Sequence, residues 1–153
     1  MAKHGWNSLK DYLSIHDKTI RFYQKFMETP KLYSHRISTE FEQSLDCIGI
    51  IFHSYRDTRV RVDVRKVIEV DASNSRRPRA RTFDYTYSAN IAGGPKLFRY
   101  CSPHDDYEGE GAAPHHSQHH KHDFTKGSEE ILLLGDDEWP HVGEFFEEVL
   151  SRY

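Results

Sequence analysis

From residue 9 onward the positions Leu9, Tyr12, Leu13, His16, Ile20, Tyr23 and Met27 recur at intervals of three or four. That spacing predicts an amphipathic helix, or two shorter ones, with Asn7 or Ser8 as the cap. Pro30 ends the pattern, because proline lacks an amide hydrogen and biases the residue before it away from helix. Near Ile37 the period changes toward two. Phe41, Leu45, Cys47 and Ile51 fall on one parity and Ile48, Ile50 and Phe52 on the other, which predicts a long strand buried on both faces near Gly49, where a bulge costs little. A turn at residues 55–58, suited to Asp57, leads into the clearest alternation of the chain. Val60, Val62, Val64, Ile68 and Val70 share one face, and Arg59, Arg61, Asp63, Arg65 and Glu69 the other, so one side is core and the other wet and mostly basic.

Residues 71–78 have loop composition, after which Arg79, Arg81, Phe83, Tyr85 and Tyr87 alternate with Ala80, Thr82, Asp84 and Thr86. Gly93-Gly94-Pro95 turns the chain into a short strand at residues 96–101, giving a meander of four strands. Residues 105–114 are again loop-like, and the apolar run 131–134 reads as a buried strand. Asp136 or Asp137 then caps a closing helix with Pro140 in its first turn and the stripe Val142, Phe145, Phe146, Val149 and Leu150. The expected architecture is an α+β domain: an antiparallel sheet of four to six strands with N- and C-terminal helices packed on it. Its segments are an N-terminal helical part (1–30), the antiparallel strands (37–101), a histidine-rich part (102–123) and the closing helix (136–152).

Composition narrows the class. A chain of 153 residues is one domain by its length, and nine Phe, nine Tyr and two Trp supply a core and argue against disorder. The longest apolar runs, 48–52 and 131–134, are too short to span a bilayer and the start MAKHGWNSLK has no apolar signal region, so a cytoplasmic location without membrane contact is expected. Cys47 and Cys101 make no disulfide framework and neither sits in a C-x-x-C pair, so reduced thiols are expected. The net charge of -3 hides an asymmetry: residues 59–81 carry eight Lys/Arg against three acids, whereas residues 136–148 carry six acids and no Lys or Arg. A nucleic-acid face, a charged protein partner, or a homo-oligomer formed along an edge strand all fit that distribution.

The chemistry concentrates in residues 99–123, which hold six of the eleven histidines: His104, His115, His116, His119, His120 and His122. Imidazole changes charge near neutral pH and is the commonest metal ligand, so proton transfer and metal binding are both open. On a strand His120 and His122 share a side; on a helix His116 pairs with His120 and His119 with His122. Either geometry can place two of the imidazoles of His116, His119, His120 and His122 on one divalent cation such as zinc, and His104 or Cys101 could complete the site. Metal-free cleavage of RNA needs a base, an acid and a cation for the phosphorane, which His104, His120 and His122 with Arg99 and Lys121 supply. No cofactor is required for that chemistry. Arg59, Arg61, Arg65, Arg79 and Arg81 could then contact phosphates and Tyr85 and Tyr87 stack on bases. A solvated loop whose histidines cap turns is the bland alternative.

These residues carry a resemblance. The order Phe83-Asp84-Tyr85-Thr86-Tyr87, Leu97-Phe98-Arg99-Tyr100, Pro103-His104 and His119-His120-Lys121-His122 before a closing helix resembles the TumE-type toxin family over residues 45–150. Members of that family usually place an aspartate after the Arg-Tyr step, where this chain has Cys101. The resemblance implies a prokaryotic toxin that acts on RNA, a ribonuclease by inference, and is neutralised by a helix-turn-helix antitoxin.

Overall fold

Alternation rich in valine forms the centre of a sheet that both helices cover from one side. The structure, a computed structural model, describes residues 3–103 and 117–153. In chain order the elements are β1 (Asn7–Ser8), α1 (Leu9–Tyr23), β2 (Ser34–Ile37), β3 (Glu42–His53), β4 (Arg59–Asp71), β5 (Arg79–Ile91), β6 (Lys96–Cys101), β7 (His119–Asp123), β8 (Glu130–Leu134) and α2 (Val142–Arg152). Strands β2 to β8 lie side by side in sequence order, and β1 pairs with the start of β5. The fold is α+β and antiparallel, but with eight strands among the described residues rather than four to six. The additional ones are β1 and β2, too short to show a period, and β7, whose residues HHKHD carry no apolar alternation.

The core forms where the apolar faces meet. Ile20 and Tyr23 of α1 and Phe145, Phe146, Val149 and Leu150 of α2 pack with Ile50, Phe52, Val60, Val62, Tyr87 and Phe98 of the sheet. A smaller cluster of Leu45, Ile68, Val70 and Ala80 lies beneath Leu9, Tyr12 and Leu13. Ser8 caps α1, accepting from the Asp11 amide at 3.0 Å. Helix α2 starts later than its sequence suggests: its cap is His141, and Pro140 precedes the cap instead of occupying the first turn. The delay has a cause in the turn before it, where the Glu138 amide bonds to the Gly135 carbonyl at 3.0 Å and Trp139 turns into the core.

Two bulges reset which side chains face the helices. In β3, Cys47 opposes Val64 and Ile50 opposes Val62, so Ile48 and Gly49 together oppose Asp63. The shift keeps Leu45, Cys47, Ile50 and Phe52 on a single buried face, while Ile48 is exposed; the strand is not buried on both sides. In β5, Asp84 opposes Val67 and Thr82 opposes Ile68, which leaves Phe83 as the extra residue. Arg79 and Arg81 before this bulge stay on the open face, but Tyr85 and Tyr87 after it turn into the core at 2% and 0% exposure. The expectation that these two rings stack on bases is therefore corrected. Strand β8 is likewise not a buried strand: it is the edge of the sheet, and Ile131, Leu132 and Leu133 are exposed. Among the described residues no helix is long and apolar enough to cross a membrane.

Gly49 has a φ of +70°, and a Cβ there would meet only Arg61 Nη2, at 3.9 Å. Space is available, so Gly49→Ala would cost about 1–2 kcal/mol through the left-handed backbone alone. The urea midpoint of the variant is expected to fall accordingly; an unchanged midpoint would refute the role given to this bulge.

Candidate metal centre

A strand sends successive side chains to opposite faces, and β7 is built almost wholly of groups that must then find polar partners. It lies between β6 and β8, with Cys101 opposite His120, Tyr100 opposite Lys121 and Arg99 opposite His122. This register gathers Arg99, Cys101, His120 and His122 on the face away from the helices. Tyr100, Lys121 and Asp123 point toward α2, where Lys121 and Tyr100 meet Glu148 and Asp123 meets Arg152.

On the open face, one donor atom from each of Cys101, His120 and His122 lies within 4.8 Å of the other two, and all three residues are buried. Donors around a tetrahedral zinc ion are roughly 3.5 Å apart, given bonds of about 2.0–2.3 Å. Small rotamer changes close that difference, so the group could hold a metal ion. His120 Nδ1 donates to the Gln118 carbonyl at 2.8 Å, and His122 Nδ1 donates to Glu129 Oε1 at 2.5 Å. With Nδ1 turned to these acceptors, a cation would be taken by Nε2 of each ring. A carboxylate or carbonyl behind each imidazole is what fixes tautomer and ring orientation in metal sites. The His122 ring also lies parallel to Phe124 at 6.1 Å, which limits its rotation. Burial pushes the Cys101 thiol up, against the Arg99 guanidinium beside it, which pulls it down; the net direction is upward. A bound cation would take the place of the thiol proton.

No family model, curated protein or solved structure matches the chain. What the site does therefore has to be argued from its own residues.

The structure separates the remaining candidates. His104, His115 and His116 lie outside the described residues. His119 sits on the opposite face from His120: its Nδ1 is 2.9 Å from the Tyr85 hydroxyl and its ring is stacked 5.0 Å from Trp139, in surroundings whose burial lowers its affinity for a proton. Strand parity thus removes it from the metal group. Lys121, expected beside Arg99 at a phosphate, is instead on the helix side, 2.9 Å from Glu148 and over the Phe98 and Tyr100 rings. Among the arginines, Arg59 pairs with Glu28 at 2.7 Å, Arg61 with Asp63 at 3.4 Å, Arg79 with Asp71 at 3.0 Å, and Arg81 with Glu69. Arg65 is exposed on the same face, with no carboxylate partner among the described residues. The basic stripe of the sequence is largely matched by acids, on the neighbouring strand for Arg79 and Arg81, two residues along the same strand for Arg61 and outside the sheet for Arg59.

Sequence reasoning did not find Glu129 or the Gln118 carbonyl. The available signal was the hairpin: Gly127, at φ +83°, returns β8 along β7 and brings Glu129 back toward His122. That signal becomes readable only once β7 is known to be a strand.

Lys121 and Glu148 give a direct test of the assignment to the helix side. Glu148→Ala leaves a buried ammonium unpaired and is expected to cost about 3 kcal/mol, whereas Lys121→Met is expected to stay within about 1 kcal/mol. Chemical unfolding compares the two, and equal losses would contradict a structural pairing.

Proposed function

We propose that this protein is a metal-binding α+β domain in which Cys101, His120 and His122 hold one transition-metal ion in a structural or regulatory role. The observation that carries the reading is the convergence of three buried donor groups within 4.8 Å. Support comes from the two acceptors behind the imidazoles, Glu129 and Gln118. One thiolate with two imidazoles is a borderline-soft donor set, which favours zinc among the abundant divalent ions and disfavours magnesium and calcium. Such an ion would tie β6 to β7 near the edge of the sheet, where only β8 lies beyond. Its contribution would be to stability, because binding to the folded state alone adds about 2.7 kcal/mol at a hundredfold excess over Kd.

A second reading keeps the toxin-like ribonuclease that the resemblance to TumE-type toxins suggests, with RNA as substrate and a helix-turn-helix antitoxin as partner. It is supported by Arg99 standing opposite His122 and beside Cys101 and His120, which puts two imidazoles and a guanidinium on one face. Lys121 is not part of that set.

Metal analysis of untagged protein is expected to find about one zinc per chain, and cobalt titration a thiolate charge-transfer band that Cys101→Ser abolishes. Chelation should lower the Tm of the native chain and leave that of Cys101→Ser unmoved. Sub-stoichiometric metal together with no cobalt band would end the metal reading. Growth arrest and RNA loss on expression that survive Cys101→Ser but not His120→Ala would favour the ribonuclease, and growth and RNA profiles indifferent to every variant would exclude it.

A further inference from the structure

A second polar cluster lies on the other side of the sheet, under the helices, and is independent of the Cys101 group. Lys66 occupies a core-facing position of β4 between Val64 and Ile68, both of which are fully buried. It is only 8% exposed, yet it has no carboxylate partner among the described residues. Its ammonium stands over the Tyr12 ring at 4.7 Å and reaches His16 Nδ1 at 3.4 Å. An ammonium can only donate, so that contact makes Nδ1 the acceptor and puts the proton of a neutral imidazole on Nε2. His16 is 4% exposed, and its Nε2 is buried without a hydrogen-bond partner. Two buried donor groups thus lack an acceptor of matching charge, a costly arrangement inside a protein.

Both line a cavity of ≈ 440 Å³ that also reaches Ile15 and Thr19 of α1, Thr82 of β5 and the first turn of α2. Helix α2 runs for eleven residues, and its first amides have no intrahelical acceptor and carry the positive end of its dipole. The one carboxylate on the lining is already matched: Glu144 pairs with Lys3 at 2.9 Å and accepts the His141 amide at 3.1 Å. The volume falls in the range of small-molecule sites and is larger than an inorganic ion needs.

We propose that this cavity binds a small organic oxyanion, its carboxylate or phosphate group set against the Lys66 ammonium near the start of α2 and its body against Tyr12, Ile15 and Val142. Lys66 supplies a charge-assisted donor and His16 a neutral one, both from buried positions on the cavity's lining. Burial favours the uncharged amine, lowering Lys66 to about 7, and an anion beside it would restore the charged form.

The test titrates untagged wild-type protein separately with inorganic phosphate, acetate and benzoate, following amide NMR shifts and heat. Saturable binding of at least one probe is expected, with shifts around Thr19, Lys66 and Gly143; phosphate alone would identify a phosphate ester, and the carboxylates alone a carboxylic acid. Lys66→Met replaces an unpaired buried charge by an apolar chain of similar length, so it is expected to fold, and it should weaken binding by about tenfold or more. Lys31→Met, remote from the cavity, should bind as wild type. No saturable binding of any probe to the wild type would overturn the proposal without recourse to a variant, as would equal affinity in Lys66→Met.

Discussion

A strand composed of histidines, a lysine and an aspartate is buried in the sheet, and its neighbours have to supply partners for both of its faces. An unsatisfied buried polar group costs about 1–3 kcal/mol, more if charged, so β7 constrains everything around it. Glu148 and Arg152 of α2 answer Lys121 and Asp123. Thr125 caps Asp123 from the following turn, Glu129 answers His122, and the Gln118 carbonyl answers His120. Helix α2 is therefore positioned by two things at once: its apolar stripe against the core, and two charged contacts at the edge of that core. The same alternation that sends Lys121 to the helix leaves His120 and His122 together on the far side, next to Cys101.

Two lysines on the helix-covered face show how much the partner decides. Lys121 and Lys66 are each less than a tenth exposed and each lies over an aromatic ring. Lys121 has Glu148 at 2.9 Å, and nothing about it calls for a ligand. Lys66 has a neutral imidazole at 3.4 Å and a cavity beside it. A buried cation without an anion is unstable as it stands, since desolvation is not offset by Coulomb attraction. The difference between a structural ion pair and a binding pocket here is one carboxylate.

The strands were legible from the sequence wherever one face is apolar, but their phase was legible only where no bulge interrupts the strand. Alternation marked β4 correctly along its length because valine repeats on a single parity. In β3 the glycine announced a bulge, yet the apolar residues on both parities read as two buried faces instead of one face with a shifted phase. The β5 bulge at Phe83 leaves no mark in the sequence, since no glycine accompanies it and the large residues 79, 81, 83, 85 and 87 continue one parity across it, so the alternation puts Tyr85 and Tyr87 with the arginines. For the site, histidine density located β7 but could not choose between helix and strand, and that choice alone decides whether His120 shares a side with His122 or with His116. Glu129 depended on a hairpin closing from an unassigned strand, so no local pattern could have named it.

Cys101 is where the two chemistries of this face divide. A carboxylate at that place beside two imidazoles would be a hard, anionic acceptor, suited to holding a histidine for proton transfer or to orienting a protonated ring. A buried thiol is neither: it is a weak hydrogen-bond partner, and burial opposes its ionisation. Its strength is as a soft ligand once a cation displaces the proton, and its neighbours suit that use, because each imidazole already has its Nδ1 committed to an acceptor. Arg99 favours the thiolate by charge, Glu129 offsets part of the positive charge a cation would bring, and the buried setting keeps water from competing for the ligands. The thiol at 101 therefore weights this face toward holding a metal rather than moving protons, even though the histidines alone would serve either purpose.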